Sequence, residues 1–384
     1  MSKAAKVRVG IIGIGNMGTA HSRSILDGNV PEMRLTAVCD SRPEAASKVP
    51  GVPFYEMPDQ VLKSGEIDAV IIATPHYDHT TLGILALEAG LHVMVEKPIS
   101  VHKADCQRLI AAHRNDRQIF AAMFNQRGDP RYQKLKALID GGELGRINRL
   151  NWIITDWFRT ETYYASGGWR ATWAGEGGGV LLNQCPHQLD LWQWLFGMPQ
   201  RVRGFCQVGR FHKIEVEDDV TAYFEYEDGS TGVFITTTGE APGTNRLEIA
   251  AERGRVIVDE AGLHWVRNEV ASSDFSRTTT GSFTKPETWD VRLPVEGRGE
   301  QHLGILKNFV AAIRDGMPLV APAAEGIHSV ELANAILQSH FEDRTIDLPL
   351  DAESYERLLK KKIASSTFVK TTKKVDTSDF GLSF

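Results

Sequence analysis

The segment Gly13-Ile14-Gly15-Asn16-Met17-Gly18 constrains this chain more than any other. It follows directly on the β-branched run Val7–Ile12 and opens a stretch with helical character. A G-x-G-x-x-G match alone is weak. Here the next apolar run, 35–39, ends at Asp40, 22 residues beyond Gly18, and that context predicts a dinucleotide-binding βαβ unit. Each glycine has its own reason. Gly13 permits a tight turn, Gly15 lets a pyrophosphate approach the backbone, and Gly18 lets the helix pack close to the strand. With Asn16 and Met17 they form a helix N-terminus whose free N–H groups and positive dipole end suit phosphates.

The pattern repeats downstream. Apolar runs at 69–74, 92–95 and 119–124 alternate with helical stretches at 80–89 and 103–113. Nearly continuous apolar strands separated by helices predict a doubly wound parallel sheet of the Rossmann type, covered on both faces. After a helix at 130–139 the character changes. Strand-like runs at 149–157, 201–208, 220–226, 231–237, 246–251, 255–258 and 264–267 predict an α+β second domain with a large, mostly antiparallel sheet. The Asp228-Gly229 pair and the segment 251–255 read as hairpin turns. Helices are expected at 180–196, 303–314 and 327–342, and a Ser/Thr-rich loop or edge hairpin at 272–284. The expected division is a cofactor domain over 1–126, a substrate and oligomerisation domain over 127–350, and a C-terminal helix and tail over 351–384, with the end of the tail loosely packed.

Composition narrows the function classes. The chain has 384 residues, a net charge of −6 and no apolar run near the length of a membrane span. Nucleic acid and anionic membranes are therefore not expected as partners. The start, Met1 to Lys6, has no secretory pattern, which points to the cytoplasm. The four cysteines are scattered, and no metal-ligand spacing occurs, so no metal site is expected.

Ligands in open α/β sheets sit beyond the carboxyl ends of the strands. That rule gathers the candidate residues. Asp40, with Ser41 and Arg42 beside it, should meet the adenosine ribose; its carboxylate favours NAD over NADP, while Arg42 weakens that preference. Thr74, Pro75, His76 and His79 follow the third strand. Glu96 and Lys97 end the fourth, where Pro98 restricts Lys97 to extended geometry. Asn125 and Arg127 follow the last strand.

The order of these elements resembles the Gfo/Idh/MocA oxidoreductase family. The resemblance rests on the glycine motif, then Ala73-Thr74-Pro75 with His79, then Glu96-Lys97-Pro98, then Gly177-Gly178-Gly179 before a helix carrying His187. It covers residues from about Val7 to Pro349, and Glu-Lys-Pro in this position is its specific part. It implies that Lys97 and His187 are catalytic and that Trp169 and Arg170 border the nicotinamide. Many members carry an aspartate four residues before the histidine; this chain has Asn183. An amide holds a hydroxyl but takes no proton at neutral pH.

The helical spacing agrees with a polar stripe of Asn183, His187, Asp190 and Trp194 on one face of the expected helix. Asp190 either orients the imidazole or makes a structural hydrogen bond. Six of the eight tryptophans fall between Trp152 and Trp194. Aromatic faces beside polar groups suit sugar rings, and Trp157 is a candidate there, although about half of the six should serve as core.

Together these residues predict an NAD-dependent dehydrogenase that oxidises a secondary hydroxyl of a sugar, glycoside or cyclitol. His187 is the base and Lys97 positions the hydroxyl; Arg127, Trp157 and Asn183 line the substrate. A second reading is redox-neutral glycoside cleavage through a keto intermediate with recycled NAD. A third is a ligand-sensing regulator without catalysis. A homo-oligomer, dimer or tetramer, is expected from the open sheet face.

Overall fold

The computed structural model describes residues 5–373. The first sheet comprises β1 (Val7–Ile12), β2 (Met33–Cys39), β3 (Phe54–Tyr55), β4 (Ala69–Ile72), β5 (His92–Val95) and β6 (Phe120–Ala122). All pair in parallel, in the order β3-β2-β1-β4-β5-β6. The order reverses between β1 and β4. Helices Asn16–Leu26 and His76–Glu88 begin there, so the crevice lies at their N-termini. β4 is buried at every position, the sign of a strand covered on both faces.

The second sheet comprises β7 (Ile147–Ile154), β8 (Arg201–Val208), β9 (Glu217–Glu225), β10 (Thr231–Thr237), β11 (Asn245–Ala251), β12 (Gly254–Asp259), β13 (Gly262–Asn268), β14 (Thr288–Leu293) and β15 (Ile346–Asp347). Their order is β14-β13-β12-β11-β7-β10-β9-β8-β15. Pairing is antiparallel except between β7 and β10. Both expected hairpin turns are present, joining β9 to β10 and β11 to β12.

One face of this sheet is covered by helices Pro186–Phe196 and Gly326–Glu342. Two glycines permit the approach. A Cβ on Gly204 would sit 2.3 Å from the Ile336 carbonyl oxygen, and one on Gly232 would sit 2.5 Å from the Trp192 ring. Trp152 and Trp192 are fully buried between the layers, with ring centroids 6.4 Å apart, and Trp173 joins them in the core. The opposite face leaves Phe205 and Tyr223 exposed.

Three expectations need correction. The helix read at 180–196 begins only at Pro186, which lacks the N–H a helix interior needs. Residues 179–185 form turns instead, closed by Asn183 N–H to the Gly179 carbonyl at 2.9 Å and Cys185 N–H to the Val180 carbonyl at 2.8 Å. Residues 272–278 are helical, Ser272–Thr278, rather than loop or hairpin. The chain also does not divide in one linear step. Helix Gln301–Asp315 returns to the first sheet and buries Ile305, Leu306 and Phe309 against it, while Ala321 pairs with Ala122. The described tail after Ser365 is irregular and mostly exposed, held at two points: Lys370 Nζ donates to the carbonyls of Tyr164 and Arg170, and Lys373 N–H to that of Ala165. The remainder of the tail lies outside the described residues.

Candidate active site

The glycine turn has the geometry its sequence demands. Gly13 has φ +92°, and a Cβ there would lie 2.6 Å from the Ala73 carbonyl oxygen. A Cβ on Gly18 would lie 1.9 Å from the Gly13 carbonyl oxygen, so any side chain would push the helix off the strand. Around Gly15 a Cβ would meet nothing within 4 Å. That open space at a helix N-terminus is where an anion is best stabilised. Lys48 Nζ donates to the Ile14 carbonyl at 3.1 Å and braces the turn from outside.

Asp40 ends β2 with its carboxylate already engaged. Ile14 N–H donates to Oδ2 at 2.8 Å, and the Arg42 guanidinium donates to both oxygens at 2.9 Å. Burial works to raise its pKa, but the bonds from Arg42 and Ile14 hold it below the ordinary carboxylate value. A ribose at Asp40 therefore has to displace Arg42, whose side chain is half exposed and free to move outward. Ser41 is exposed beside it.

At the carboxyl ends of β4 to β6 several polar atoms are buried without a protein partner: Thr74 Oγ1, Asn125 Oδ1, Gln188 Oε1 and His187 Nδ1. Such orphans are rare in folded proteins and ask for a ligand or water. Thr74 follows β4 and Asn125 follows β6, while His187 and Gln188 come from helix Pro186–Phe196; Asn125 is held by its own amide donating to Gln301 Oε1 at 2.7 Å. The groups present fit a dinucleotide.

The histidines after β4 divide. His76 is buried, and its Nδ1 donates to the Glu176 carbonyl at 3.2 Å while its ring meets Trp169 edge-on at 5.1 Å. Burial, then the charges of His79 and Lys97, keep it neutral. His79 reaches the Pro98 and Thr74 carbonyls, both at 2.8 Å, and so ties the ends of β4 and β5 together. A neutral imidazole donates to only one of them, but both nitrogens face main-chain carbonyls, so His79 serves the backbone here. Glu96 is likewise occupied: Oε1 pairs with His21 Nε2 at 2.7 Å, and Oε2 accepts from Lys97 N–H. Pro75 caps helix His76–Glu88.

Lys97 projects from the end of β5 across to the second domain. Its Nζ donates to the main-chain carbonyl of Asn183 at 2.7 Å. Burial lowers its pKa to about 8, opposed by Glu96 and aided by the nearby charges of Arg170 and Arg159. His187, in the first turn of helix Pro186–Phe196, is buried against Phe124 at 6.2 Å. Burial, then Lys97 and His302, push its pKa well below the ordinary value. The imidazole is thus neutral and has an unpartnered nitrogen at neutral pH.

Arg170 is sandwiched between Trp169 and Tyr163, 4.4 and 4.6 Å from the ring centroids, and donates to Tyr163 Oη at 2.7 Å. Trp157 is half-buried, with Arg159 over its ring at 5.4 Å and its Nε1 unpartnered. Arg127 does not line the cleft. Its guanidinium is buried, bonded to both Asp190 oxygens at 2.7 and 2.6 Å and to Glu325 at 2.5 Å. Asp190 accordingly makes the structural bond rather than orienting the imidazole.

Sequence reasoning missed His302, Gln301 and Glu176. The first two arrive from a helix far along the chain, with no local signal. Glu176 had one: a carboxylate directly before Gly177-Gly178-Gly179, in a stretch that is otherwise apolar.

Residues 7–124 match the oxidoreductase family, NAD-binding Rossmann fold, and residues 132–257 match the GFO/IDH/MocA C-terminal domain. The chain belongs to the Gfo/Idh/MocA oxidoreductase family. It is 24% identical over 349 residues to inositol 2-dehydrogenase of Rhizobium meliloti, covering 89% of this chain and 99% of that one. It is 24% identical over 386 residues to levoglucosan dehydrogenase of Pseudarthrobacter phenanthrenivorans, covering 89% and 98%. The WlbA dehydrogenase from Bordetella pertussis, solved with NADH and UDP-GlcNAcA, superposes with a TM-score of 0.75 at 26% identity, over 90% of this chain and 100% of that one. The Gfo/Idh/MocA chain described here is thus a CH–OH oxidoreductase with an NAD-binding Rossmann domain.

Proposed function

We propose that this protein oxidises a secondary hydroxyl of a sugar, glycoside or cyclitol, with His187 as base and Lys97 holding the reacting oxygen. One observation carries the reading: a neutral buried imidazole and a buried lysine ammonium, each within the other's electrostatic reach, stand beyond the carboxyl end of β5 at the dinucleotide crevice.

NAD, when bound, accepts the hydride. The chain's own groups handle the rest. Lys97 Nζ, fixed by the Asn183 carbonyl, keeps donors to spare for a substrate oxygen and stabilises the charge that grows on it. His187 takes the hydroxyl proton, because burial keeps its ring neutral and so able to accept one. Asn183 offers its amide to a neighbouring hydroxyl, and Trp169 and Trp157 supply flat apolar walls. Thr74, Asn125, Trp169 and Arg170 are assigned to the cofactor side with Gly13, Gly15, Asn16, Met17, Gly18 and Asp40. NAD is favoured over NADP by Asp40. The relatives' substrates, an inositol, levoglucosan and a nucleotide-linked sugar acid in complex, all bear ring hydroxyls and support the same substrate class.

The exposed Phe205 and Tyr223 on the open sheet face support assembly into a homo-oligomer through that face. Among the described residues no helix is long and apolar enough to cross a membrane. A screen of cyclitols, sugars and glycosides with NAD and NADP, read by nicotinamide absorbance, tests the reading. Reduction of NAD with at least one polyol supports it; release of an aglycone with no net NADH would favour redox-neutral cleavage instead.

A further inference from the structure

Glu176 lies in the turn before the triple glycine, almost wholly buried at 1% exposure. Every polar group it has is committed. Its carbonyl accepts from His76 Nδ1 at 3.2 Å, which ties it to the cofactor domain. Its N–H donates to the Thr172 carbonyl at 2.9 Å. Oε2 accepts from the Ala171 N–H at 2.7 Å, and Oε1 accepts from the side-chain amide of Asn183.

Two features show that this placement is maintained against a cost. Burial, the largest effect, raises the pKa of its carboxyl; Arg170, the bonds from Asn183 and Ala171, and Lys370 oppose that rise without cancelling it. Ala171, the residue that supplies the main-chain donor, has φ +64°, a left-handed conformation that a side chain with Cβ seldom adopts. Strain of this kind collects at functional sites.

The consequence falls on Asn183. Glu176 accepts on both oxygens, Oε2 from the Ala171 N–H and Oε1 from the Asn183 Nδ2, so the NH2 end of the Asn183 amide is the one that faces it. The amide cannot rotate, and Oδ1 is turned away from Glu176. Among the described residues Oδ1 accepts from no protein donor and is not sealed from solvent. The main chain of the same residue receives Lys97 Nζ at 2.7 Å.

We propose that Glu176 is a positioning residue for the oxidation step: it locks the Asn183 amide so that Oδ1 faces the substrate as a fixed acceptor, and it supports the positive charge of Lys97. A carboxylate one position removed from the substrate thus makes an asparagine behave as an obligatory acceptor. The groups facing Glu176 are Arg170, Lys97, Lys370, His76, Tyr164 and Glu217. The proposal rests on the dehydrogenase reading for its kinetic arm only.

The test compares the full-length wild type with Glu176→Gln, Asn183→Asp and the double variant. With the best polyol from the screen, Glu176→Gln should lower kcat roughly 10- to 100-fold with NAD affinity unchanged, because the glutamine amide lets Asn183 turn. The double variant moves the carboxylate to 183 and the amide to 176, so it should regain most of that loss. A second arm does not depend on turnover. The pH midpoint for modification of Lys97 by an amine-reactive reagent, located by peptide mass spectrometry, should fall in Glu176→Gln and not in a control variant at exposed Lys63. A double variant as poor as the product of its parents, with NAD still bound, would overturn the positioning role. So would an unchanged Lys97 midpoint. Absence of wild-type turnover on every polyol, with the midpoint shift present, would count against the dehydrogenase reading and leave Glu176 coupled to Lys97. If Glu176→Gln melts early, the folded double variant decides: failure to recover contradicts the proposal.

Discussion

Lys97 and Asn183 meet across the two domains: the lysine Nζ donates to the asparagine carbonyl at 2.7 Å. One residue ends a strand of the cofactor sheet; the other lies in the turns before the helix of His187. The bond thus fixes the Lys97 ammonium relative to both the end of β5 and the turns that lead into the helix of His187.

Activity should therefore fall on the alkaline side as Lys97 loses its proton. Its pKa is lowered to about 8 by burial, so kcat/KM should decline as pH rises through that value. On the acid side burial keeps His187 neutral to well below its ordinary value, so the acid limb should lie well below the ordinary histidine range. Lys97→Ala should cost roughly 10²- to 10⁴-fold in kcat/KM. Lys97→Arg should abolish the alkaline limb at a lower plateau. A rate that rises through pH 8 would make Lys97 the base instead.

Removing Arg127 should destabilise the fold and not only the site. The guanidinium and Asp190 are both buried and bonded twice. Arg127→Ala strands a buried carboxylate, a change worth about 3–5 kcal/mol. Urea unfolding measures it. Arg127→Ala with Asp190→Ala should be less damaging than either loss implies, because no fully buried charge is left unpaired; Glu325 also loses its partner but is partly exposed.

Asp40 and Arg42 should set cofactor preference in opposite directions. Arg42→Ala removes the guanidinium from both Asp40 oxygens, leaving only the main-chain donors of residues 14 and 42, and removes a cation that a 2′-phosphate would seek. Titration by protein fluorescence should show tighter NAD and weaker NADP binding. Asp40→Ala should weaken NAD by about tenfold or more, the loss of a charged hydrogen-bond acceptor.

Stability should fall on mild acidification. His76, His79, His187 and His302 are buried and held below the ordinary histidine pKa mainly by burial, His302 at about 4. Between that ordinary value and the lower folded ones, the unfolded chain binds more protons than the folded one. Their contribution is complete above about pH 6.5 and is lost as pH falls. The melting temperature should drop from pH 7 to pH 5. The same His187→Phe and His302→Phe changes should flatten the slope.

Much of this was legible because it is local. Gly13, Gly15 and Gly18 each meet the backbone constraint their positions imply, and the tight contacts at Ala73 and Gly13 are written into the spacing alone. Strands with period-two or fully apolar patterns, such as β1 and β10, are specified over short windows. What escaped depends on distant partners. Arg127 looked like a cleft residue because it follows β6, but Asp190 and Glu325 claim it from 63 and 198 residues away. His79 occupies the right strand end, yet both of its ring nitrogens face main-chain carbonyls at 2.8 Å. Glu176 could be suspected only by weighing a lone acid beside the glycines. Cys185-Pro186 did carry a readable helix start, which the apolar run 180–182 obscured.

The most direct measurement is NADH formation by wild type and His187→Ala on a cyclitol or sugar that the wild type oxidises, with NAD affinity measured in parallel. The expected result is a loss of about 10²-fold or more in kcat with NAD binding unchanged. Wild-type turnover in His187→Ala would contradict the assignment of His187 as the base.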